Sequence, residues 1–182
     1  MNKRTAEEPT IFYIDGGSRG NPGPAGYGVA IKNAAGETVD SRSEYLGVRT
    51  NNVAEYSGLL AALEYATSHH LPFIRIFSDS ELLVRQMTGR YRVKSPDLLP
   101  LFERARELAA QIPRFEIEHI RREANAAADA LANEAMDRGE AVGPHRRTLR
   151  FDAIVENGLL KPLAPVQLPE KKKVECSIRF KD

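Results

Sequence analysis

The sequence has very little of what a disulfide framework or a zinc site requires. Its 182 residues include a single cysteine, Cys176, and four histidines, and no pair of these has metal-ligand spacing. No apolar run reaches the length of a membrane span, and the first ten residues lack the apolar segment of a signal peptide. These features argue against a disulfide-stabilised or zinc-dependent domain and predict a cytoplasmic protein with no membrane partner.

The chain also lacks a strong excess of charge of either sign. Its formal net charge is +1, and 9 of the 26 basic and 6 of the 25 acidic residues lie in residues 139–182, which leaves a net charge of −2 for residues 1–138. With 42% hydrophobic residues the chain is expected to be globular. To bind nucleic acid, the larger part would need local basic patches and cations held by its own carboxylates.

Hydrophobic periodicity predicts an α/β domain with the element order β-β-β-α-β-α-α-β-α. A meander of three strands is followed by strands added through helical crossovers, and such strands must run parallel to a neighbour. The predicted strands are residues 11–15, 25–33, 37–46, 72–78 and 114–121, and the predicted helices are 53–66, 80–89, 95–112 and 125–138. Asn125 is predicted to cap the last helix.

Composition divides the chain into four expected segments. They are a polar N-terminal extension (1–9), a main domain (10–138), a linker (139–147) and a small β-unit (148–182). The last segment contains two apolar runs, at 148–155 and 174–180, and an Asn157-Gly158 turn. It is too short to bury a good core alone, so we expect it to pair with a partner or pack on the main domain.

Four carboxylates stand at boundaries of the predicted elements. Asp15 ends the first strand, Glu55 lies in the first turn of the first helix, Asp79 ends the fourth strand, and Asp129 lies in the first turn of the last helix. Asp15 by itself is equally compatible with a solvated turn residue. If strands one and four are adjacent and parallel, however, Asp15 and Asp79 lie side by side at one edge of the sheet.

Four like charges in one place repel one another, and hard divalent cations would remove that repulsion. Ligation by oxygen alone suits Mg²⁺ or Mn²⁺. Two such ions about 4 Å apart activate a water molecule and stabilise the leaving oxygen in a displacement at phosphorus. The carboxylates therefore predict phosphodiester hydrolysis.

Five segments between residues 10 and 136 form a combined pattern: IFYIDGGSRGNPGPAGYG, RTNNVAEYSGLLAALEYA, IFSDSELLVRQM, YRVKSPDLLPLFERA and HIRREANAAADALANEA. In this order and spacing they resemble ribonuclease H type 1. The resemblance implies a ribonuclease H-like fold with a five-stranded mixed sheet and helices on both faces. It also implies cleavage of the RNA strand of an RNA/DNA hybrid with two Mg²⁺ ions per site, for which Mn²⁺ can substitute.

The same resemblance assigns roles to individual residues. Asp15 is implied to bridge both metals, Glu55 and Asp79 to complete the site nearer the attacking water, and Asp129 to hold the metal on the leaving-group side. Glu55 is also implied to contact the ribose 2′-hydroxyl. The residues implied to contact the hybrid are Ser18, Arg19, Asn21, Thr50, Asn51, Asn52 and Lys94.

The sequence departs from the best-known bacterial pattern at three places. No basic helix lies between Gly89 and Ser95, so hybrid binding is expected to depend on scattered arginines and Lys94. The segment before Asp129 is short, and Glu123 stands where the family often has a histidine. Glu81 follows Asp79 where a neutral residue is usual. His119 is interpreted as a packed strand residue.

The tail, RFDAIVENGLLKPLAPVQLPEKKKVECSIRF, resembles a family of small β-proteins grouped with antitoxins. Val155 replaces a tyrosine of that pattern and Lys171 replaces a glycine. We interpret the tail as a module for dimerisation or for holding the hybrid, and a homodimer through it is predicted.

Two other functions remain open at this point. One is a nuclease of the same superfamily that acts on duplex DNA. The other is a nucleic-acid-binding module without activity, which is disfavoured because all four carboxylates are present and their charge would weaken binding of phosphates.

Overall fold

The computed structural model describes residues 8–142, 153–156 and 159–162. The chain divides into two units between residues 145 and 146. Within the described part, no helix is long and apolar enough to cross a membrane.

The larger unit alternates strands and helices in the predicted order. Its strands are β1 (Thr10–Ser18), β2 (Gly23–Lys32), β3 (Thr38–Arg49), β4 (Phe73–Ser78) and β5 (Arg114–His119). Its helices are α1 (Asn51–Ser68), α2 (Glu81–Met87), α3 (Leu99–Ala109) and α4 (Ala126–Val142), with a short 3-10 turn at Arg122–Ala124 before α4.

The five strands form one mixed sheet in the order β3-β2-β1-β4-β5. Strands β1, β2 and β3 are antiparallel neighbours, whereas β4 is parallel to β1 and β5 is parallel to β4. The last registered pair between β1 and β4 is Ile14 with Ser78, so Asp15 and Asp79 follow at neighbouring positions. The predicted five-stranded mixed sheet is confirmed.

Helices cover both faces of this sheet, as expected. A Cβ atom on Gly16 would lie closer than 3.0 Å to the backbone of α1 at Ala54 and Glu55. A Cβ atom on Gly28 would meet the Ala132 nitrogen of α4 at 2.6 Å. Gly28 is the registered partner of Asp15, and adjacent strand residues point to opposite faces, so α1 and α4 lie on opposite sides.

The main hydrophobic core lies on the α1 side. It combines residues of four strands with α1, α2 and α3, and its largest fully buried side chains are Phe12, Ile14, Ile31, Tyr56, Leu59, Leu63, Ile74, Ile76 and Leu83. Small residues meet on the α4 side instead. A Cβ atom on Gly26 would lie 3.1 Å from Cβ of Ala135 and 3.2 Å from the Ala132 carbonyl oxygen.

Several predicted boundaries were wrong by a few residues. Helix α3 begins at Leu99 because the Ser95 carbonyl accepts hydrogen bonds from the Leu98 and Leu99 amides in a turn before the helix. Glu55 lies in the second turn of α1, since the helix begins at Asn51. Helix α4 continues through Val142, four residues into the predicted linker, and Gly139 is buried against the Tyr45 ring.

The smaller unit contains a described hairpin of β6 (Ala153–Glu156) and β7 (Leu159–Pro162), which pair antiparallel. Lys161 Nζ lies 3.1 Å from Glu156 Oε2 across the hairpin. Ile154 and Val155 are 44% and 58% exposed. The second apolar run, at 174–180, lies outside the described residues.

The close approach of α1 to β1 gives a prediction for two consecutive glycines. Gly16→Ala should lower the free energy of unfolding by about 3 kcal/mol, because the new Cβ meets backbone that cannot move without shifting α1. Gly17→Ala is the matched control, since its Cβ would meet only the flexible Met136 side chain, at 3.4 Å, and should cost less than about 1 kcal/mol. Urea unfolding monitored by circular dichroism measures both, and equal losses would contradict this account.

Candidate active site

The four carboxylates predicted from the sequence line one cleft of about 320 Å³. They come from four separate elements, namely β1, α1, the end of β4 and the first turn of α4. The other residues lining the cleft are Gly16, Gly17, Ser18, Arg19, Asn51, Ser80, Arg122, Ala132, Asn133 and Met136. All four carboxylates are half-buried.

Asp15 and Asp79 are placed by the parallel pairing of β1 and β4. β1 continues three residues beyond Asp15 because β2 pairs with it as far as Ser18. Oδ1 of Asp15 accepts a hydrogen bond from the Gly16 amide at 2.8 Å. Oδ1 of Asp79 accepts one from Nδ2 of Asn125 at 3.0 Å.

Glu55 is held by side chains from two different segments. Its Oε1 accepts from Nδ2 of Asn51, one turn earlier in α1, at 2.9 Å. Its Oε2 accepts from the Ser80 hydroxyl at 2.5 Å, and Ser80 is also the N-cap of α2. The carboxylate of α1 is thereby tied to the residue that directly follows Asp79.

Asp129 is fixed at the beginning of α4. Nη2 of Arg122 donates to its Oδ1 at 2.8 Å, and Nδ2 of Asn133 donates to its Oδ2 at 3.1 Å. The Arg122 side chain is 75% exposed, so this ion pair lies at the mouth of the cleft. A negative side chain in the first turn also complements the positive end of the helix dipole.

Two of the carboxylates hold their protons unusually tightly. Burial raises the pKa of Asp15 to about 6, and the charges of Asp79 and Asp129 act in the same direction. Burial also raises the pKa of Glu55 to about 7, with Asp15 and Asp79 adding to the effect against the hydrogen bonds from Ser80 and Asn51. Mutual repulsion in a partly dry cleft is therefore a property of this site.

The cleft fits a hard divalent cation because its candidate ligands are carboxylate and amide oxygens, and neither cysteine nor histidine is among its lining residues. Within residues 8–142 and the two short strands, however, no three His, Cys, Asp or Glu side chains converge closely enough to ligate one ion. Each carboxylate instead accepts a hydrogen bond from a neighbouring group. Binding of an ion would require these oxygens to exchange donors for the cation.

The predicted substrate residues divide into two groups. Ser18, Arg19 and Asn51 line the cleft, and Arg19 forms an ion pair with Asp137 of α4. The others do not line it: Asn21, Thr50, Asn52 and Lys94.

Two residues of the second group stabilise the rim of the cleft. Oδ1 of Asn21 accepts from the Asn51 amide at 3.2 Å, which joins the β1–β2 turn to the start of α1. Thr50 is the N-cap of α1. Lys94 is exposed on the segment between α2 and α3.

Two residues near the cleft differ from their predicted roles. His119 is exposed at the last position of the edge strand β5 and lines an open pocket with Asp79, so its interpretation as a packed residue was wrong. Asn125 stands at the predicted cap position, but its side chain bonds to Ile14 and Asp79 rather than to α4.

Ser80 and Asn133 were missed altogether. Two sequence features could have indicated their contacts with the carboxylates. Ser80 directly follows Asp79, and Asn133 lies one helical turn after Asp129.

Two family models match this chain. One described as Reverse transcriptase-like matches residues 13–135, and one described as AF2212-like matches residues 150–182. The first includes all four carboxylates and the whole sheet except its first few residues.

Individual proteins are similar over the same region. The Bifunctional protein Rv2228c of Mycobacterium tuberculosis is 50% identical over 128 residues, which are 70% of this chain and 35% of that protein. Ribonuclease HI of Halobacterium salinarum is 44% identical over 125 residues, 69% of this chain and 63% of that protein. The chain thus spans about a third of the first relative and less than two thirds of the second.

A solved structure of LC11-RNase H1 in complex with RNA/DNA hybrid superposes with a TM-score of 0.68 and 44% identity. The match covers 74% of this chain and 99% of that one. At this identity, the likeness extends to sequence as well as to fold.

The raised pKa values predict how stability depends on pH in metal-free protein. Between about pH 4 and pH 7 the folded state holds protons on Asp15 and Glu55 that the unfolded state has lost, so the free energy of unfolding should fall as the pH rises and then level off. Asp15→Asn removes one of these groups and lowers the pKa of the other. The decrease in the free energy of unfolding with pH should therefore be smaller in the variant by on the order of 3 kcal/mol, at about 1.4 kcal/mol per pKa unit.

Urea unfolding with EDTA at several pH values measures this difference. Asp97→Asn is the control, because Asp97 is an exposed carboxylate outside the cleft and should leave the wild-type slope unchanged. Parallel pH profiles for wild type and Asp15→Asn would refute the raised pKa of Asp15.

Proposed function

Because the chain belongs to the ribonuclease H members of the reverse transcriptase-like family, we propose that it hydrolyses the RNA strand of RNA/DNA hybrids in the four-carboxylate cleft. The observation that carries this proposal is the gathering of Asp15, Glu55, Asp79 and Asp129 from four distant elements into one half-buried site. The hybrid named in the LC11-RNase H1 structure supports the choice of substrate. The chain covers only part of the longer relatives, so the proposal concerns residues 10–138.

We propose Mg²⁺ as the cofactor, two ions per site, with Mn²⁺ as a substitute. The oxygen-only donor set supports this choice. When bound, such ions supply an activated water and charge stabilisation for the leaving oxygen. The protein's own contribution is to hold four carboxylates in a partly dry cleft, where a divalent cation would relieve their mutual repulsion.

The roles that we propose for the carboxylates are those that the ribonuclease H resemblance implies, and the neighbours of each residue support them. The Asp15 carboxylate interacts electrostatically with both Asp79 and Asp129, which supports the proposal that Asp15 would help to hold both ions. Glu55 and Asp79 are linked through Ser80 and would hold the ion on the water side. Asp129, at the mouth of the cleft, would hold the ion on the leaving-group side. Glu55 would also contact the ribose 2′-hydroxyl, which distinguishes RNA from DNA.

Substrate contacts are proposed for the rim of the cleft. Ser18 and Arg19 lie at the end of β1, where a phosphate of the RNA strand can approach the carboxylates. Asn21 and Asn51 are joined by a hydrogen bond and form one polar edge with Thr50 and Asn52. Lys94 would meet a more distant phosphate.

The tail and the location remain predictions of the sequence. We propose that residues 148–182 hold two chains together as a homodimer, and the exposed Ile154 and Val155 of the hairpin are consistent with such a surface. The AF2212-like match supports a separate small module without identifying an antitoxin activity. A cytoplasmic location is likewise proposed.

A substrate panel tests the proposed reaction. Matched RNA/DNA hybrid, duplex RNA and duplex DNA are incubated with the full chain and Mg²⁺, Mn²⁺ or EDTA, and products are resolved on denaturing gels. Only the RNA strand of the hybrid should be cut, and only with metal. Asp79→Asn should lower the rate at least about 100-fold, because it removes a proposed ligand, whereas Asp97→Asn should retain it.

Each other outcome points to a different function. Duplex DNA cut as fast as the hybrid would favour the DNA-directed alternative, and binding of the hybrid without cleavage would favour the inactive binding module. Full activity of Asp79→Asn would overturn the proposed metal ligation.

A deletion of residues 143–182 tests the proposed dimer. The cut follows Val142 because α4 extends to that residue and Gly139 packs on Tyr45. Light scattering during gel filtration should give twice the chain mass for the full protein and the single mass for the shortened one. Hybrid affinity should drop at least about tenfold, since two linked sites bind more tightly than one. The same number of chains per particle and the same hybrid affinity for both proteins would reject a role for the tail in either property.

A further inference from the structure

We propose that Asn125 is a positioning residue that sets the geometry of three of the four carboxylates, Asp15, Asp79 and Asp129. Its consequence for catalysis rests on the proposed hybrid cleavage, whereas its consequence for metal binding rests only on the proposed Mg²⁺ site. Asn125 lies between the 3-10 turn and α4, and its side chain is completely buried. It does not line the cleft, so it would act through other residues rather than on the substrate.

One amide nitrogen connects two strands at the point where the carboxylates begin. Nδ2 of Asn125 donates to the Ile14 carbonyl oxygen at 2.9 Å and to Oδ1 of Asp79 at 3.0 Å. An amide nitrogen carries two hydrogens, so both bonds form at the same time. The Ile14 carbonyl directly precedes Asp15, which means that the bonds fix the spacing between this part of β1 and Asp79.

The backbone of the same residue begins the helix that carries Asp129. The Asn125 carbonyl oxygen accepts hydrogen bonds from the Ala128 and Asp129 amides, both at 3.1 Å. Asn125 is therefore joined to β1, to the end of β4 and to the first turn of α4. A displacement of its side chain would change the relative positions of three carboxylates that are distant in sequence.

A cap of α4 does not explain this side chain. A capping asparagine accepts a hydrogen bond from the first turn of its helix through Oδ1, but Oδ1 of Asn125 is buried and accepts none from the residues that the structure describes. The amide cannot be turned around, because Oδ1 would then face two oxygens. An unpaired buried acceptor costs stability, and such costs concentrate at functional sites.

The test compares Asn125→Ala with Gln86→Ala in the full chain. Gln86 is the matched control, because it is a buried amide that bonds to the Tyr56 hydroxyl and touches no cleft carboxylate. Both variants should lose thermal stability. Only Asn125→Ala should weaken Mg²⁺ binding in calorimetric titration by about 10- to 100-fold and lower kcat on the hybrid by a similar factor, with KM within about threefold.

Asn125→Ser provides a second variant in case alanine prevents folding. Its hydroxyl can donate only one of the two bonds, so its Mg²⁺ affinity should fall between wild type and alanine. In addition, the NMR signals of the Asn125 side-chain amide in wild-type protein should shift during Mg²⁺ titration. The midpoint of this shift should equal the midpoint found by calorimetry, and the signals of the Gln86 amide should not shift.

Two results separate this proposal from the proposed function. The positioning role would be overturned if the Asn125 variants had Mg²⁺ affinity and kcat within about threefold of Gln86→Ala. It would also be overturned if the side-chain amide signals of Asn125 did not shift when Mg²⁺ is added. If the wild-type protein cuts no hybrid but binds Mg²⁺ more tightly than Asn125→Ala does, the proposed function is overturned and the positioning role is retained.

Discussion

The parallel pairing of β1 with β4 is the constraint on which the rest of the molecule depends. It places Asp15 and Asp79 side by side, directly after the last registered pair of the two strands, in a half-buried position where two carboxylates repel each other. The surrounding residues compensate for that placement. Hydrogen-bond donors from Gly16 and Asn125 each meet one of these carboxylates, and Arg122 and Ser80 meet the two that lie beside them. The cleft is thus a set of like charges held in place by neutral and cationic donors.

Much of this arrangement could be predicted from sequence because its signals are local. Strands that end on a carboxylate, and helices that begin beside one, are visible in short windows, and the alternation of elements requires parallel crossovers. Asp15 alone was ambiguous. Asp15 indicates a functional site only together with Asp79, since the parallel pairing of their strands brings the two carboxylates together.

What could not be predicted depends on contacts between distant residues. Asn125 was interpreted as a cap because the local pattern of a cap is the same, whereas its acceptors, Ile14 and Asp79, lie 111 and 46 residues away. The exposure of His119 depends on β5 being the edge of the sheet, which strand alternation does not reveal. The start of α3 was misplaced because a serine-proline pair also suits the turn that precedes the helix.

The two faces of the sheet explain how such a site coexists with a stable fold. Large apolar side chains fill the α1 face, where burial supplies most of the stability, so the electrostatic cost at the sheet end can be tolerated. On the other face, Gly26 and Gly28 let α4 approach the strands at backbone distance. Because little side-chain volume separates α4 from β1 and β2, Asp129 cannot move independently of Asp15. Close packing on the α4 face therefore fixes the geometry of the carboxylates, and the hydrophobic core on the α1 face offsets its electrostatic cost.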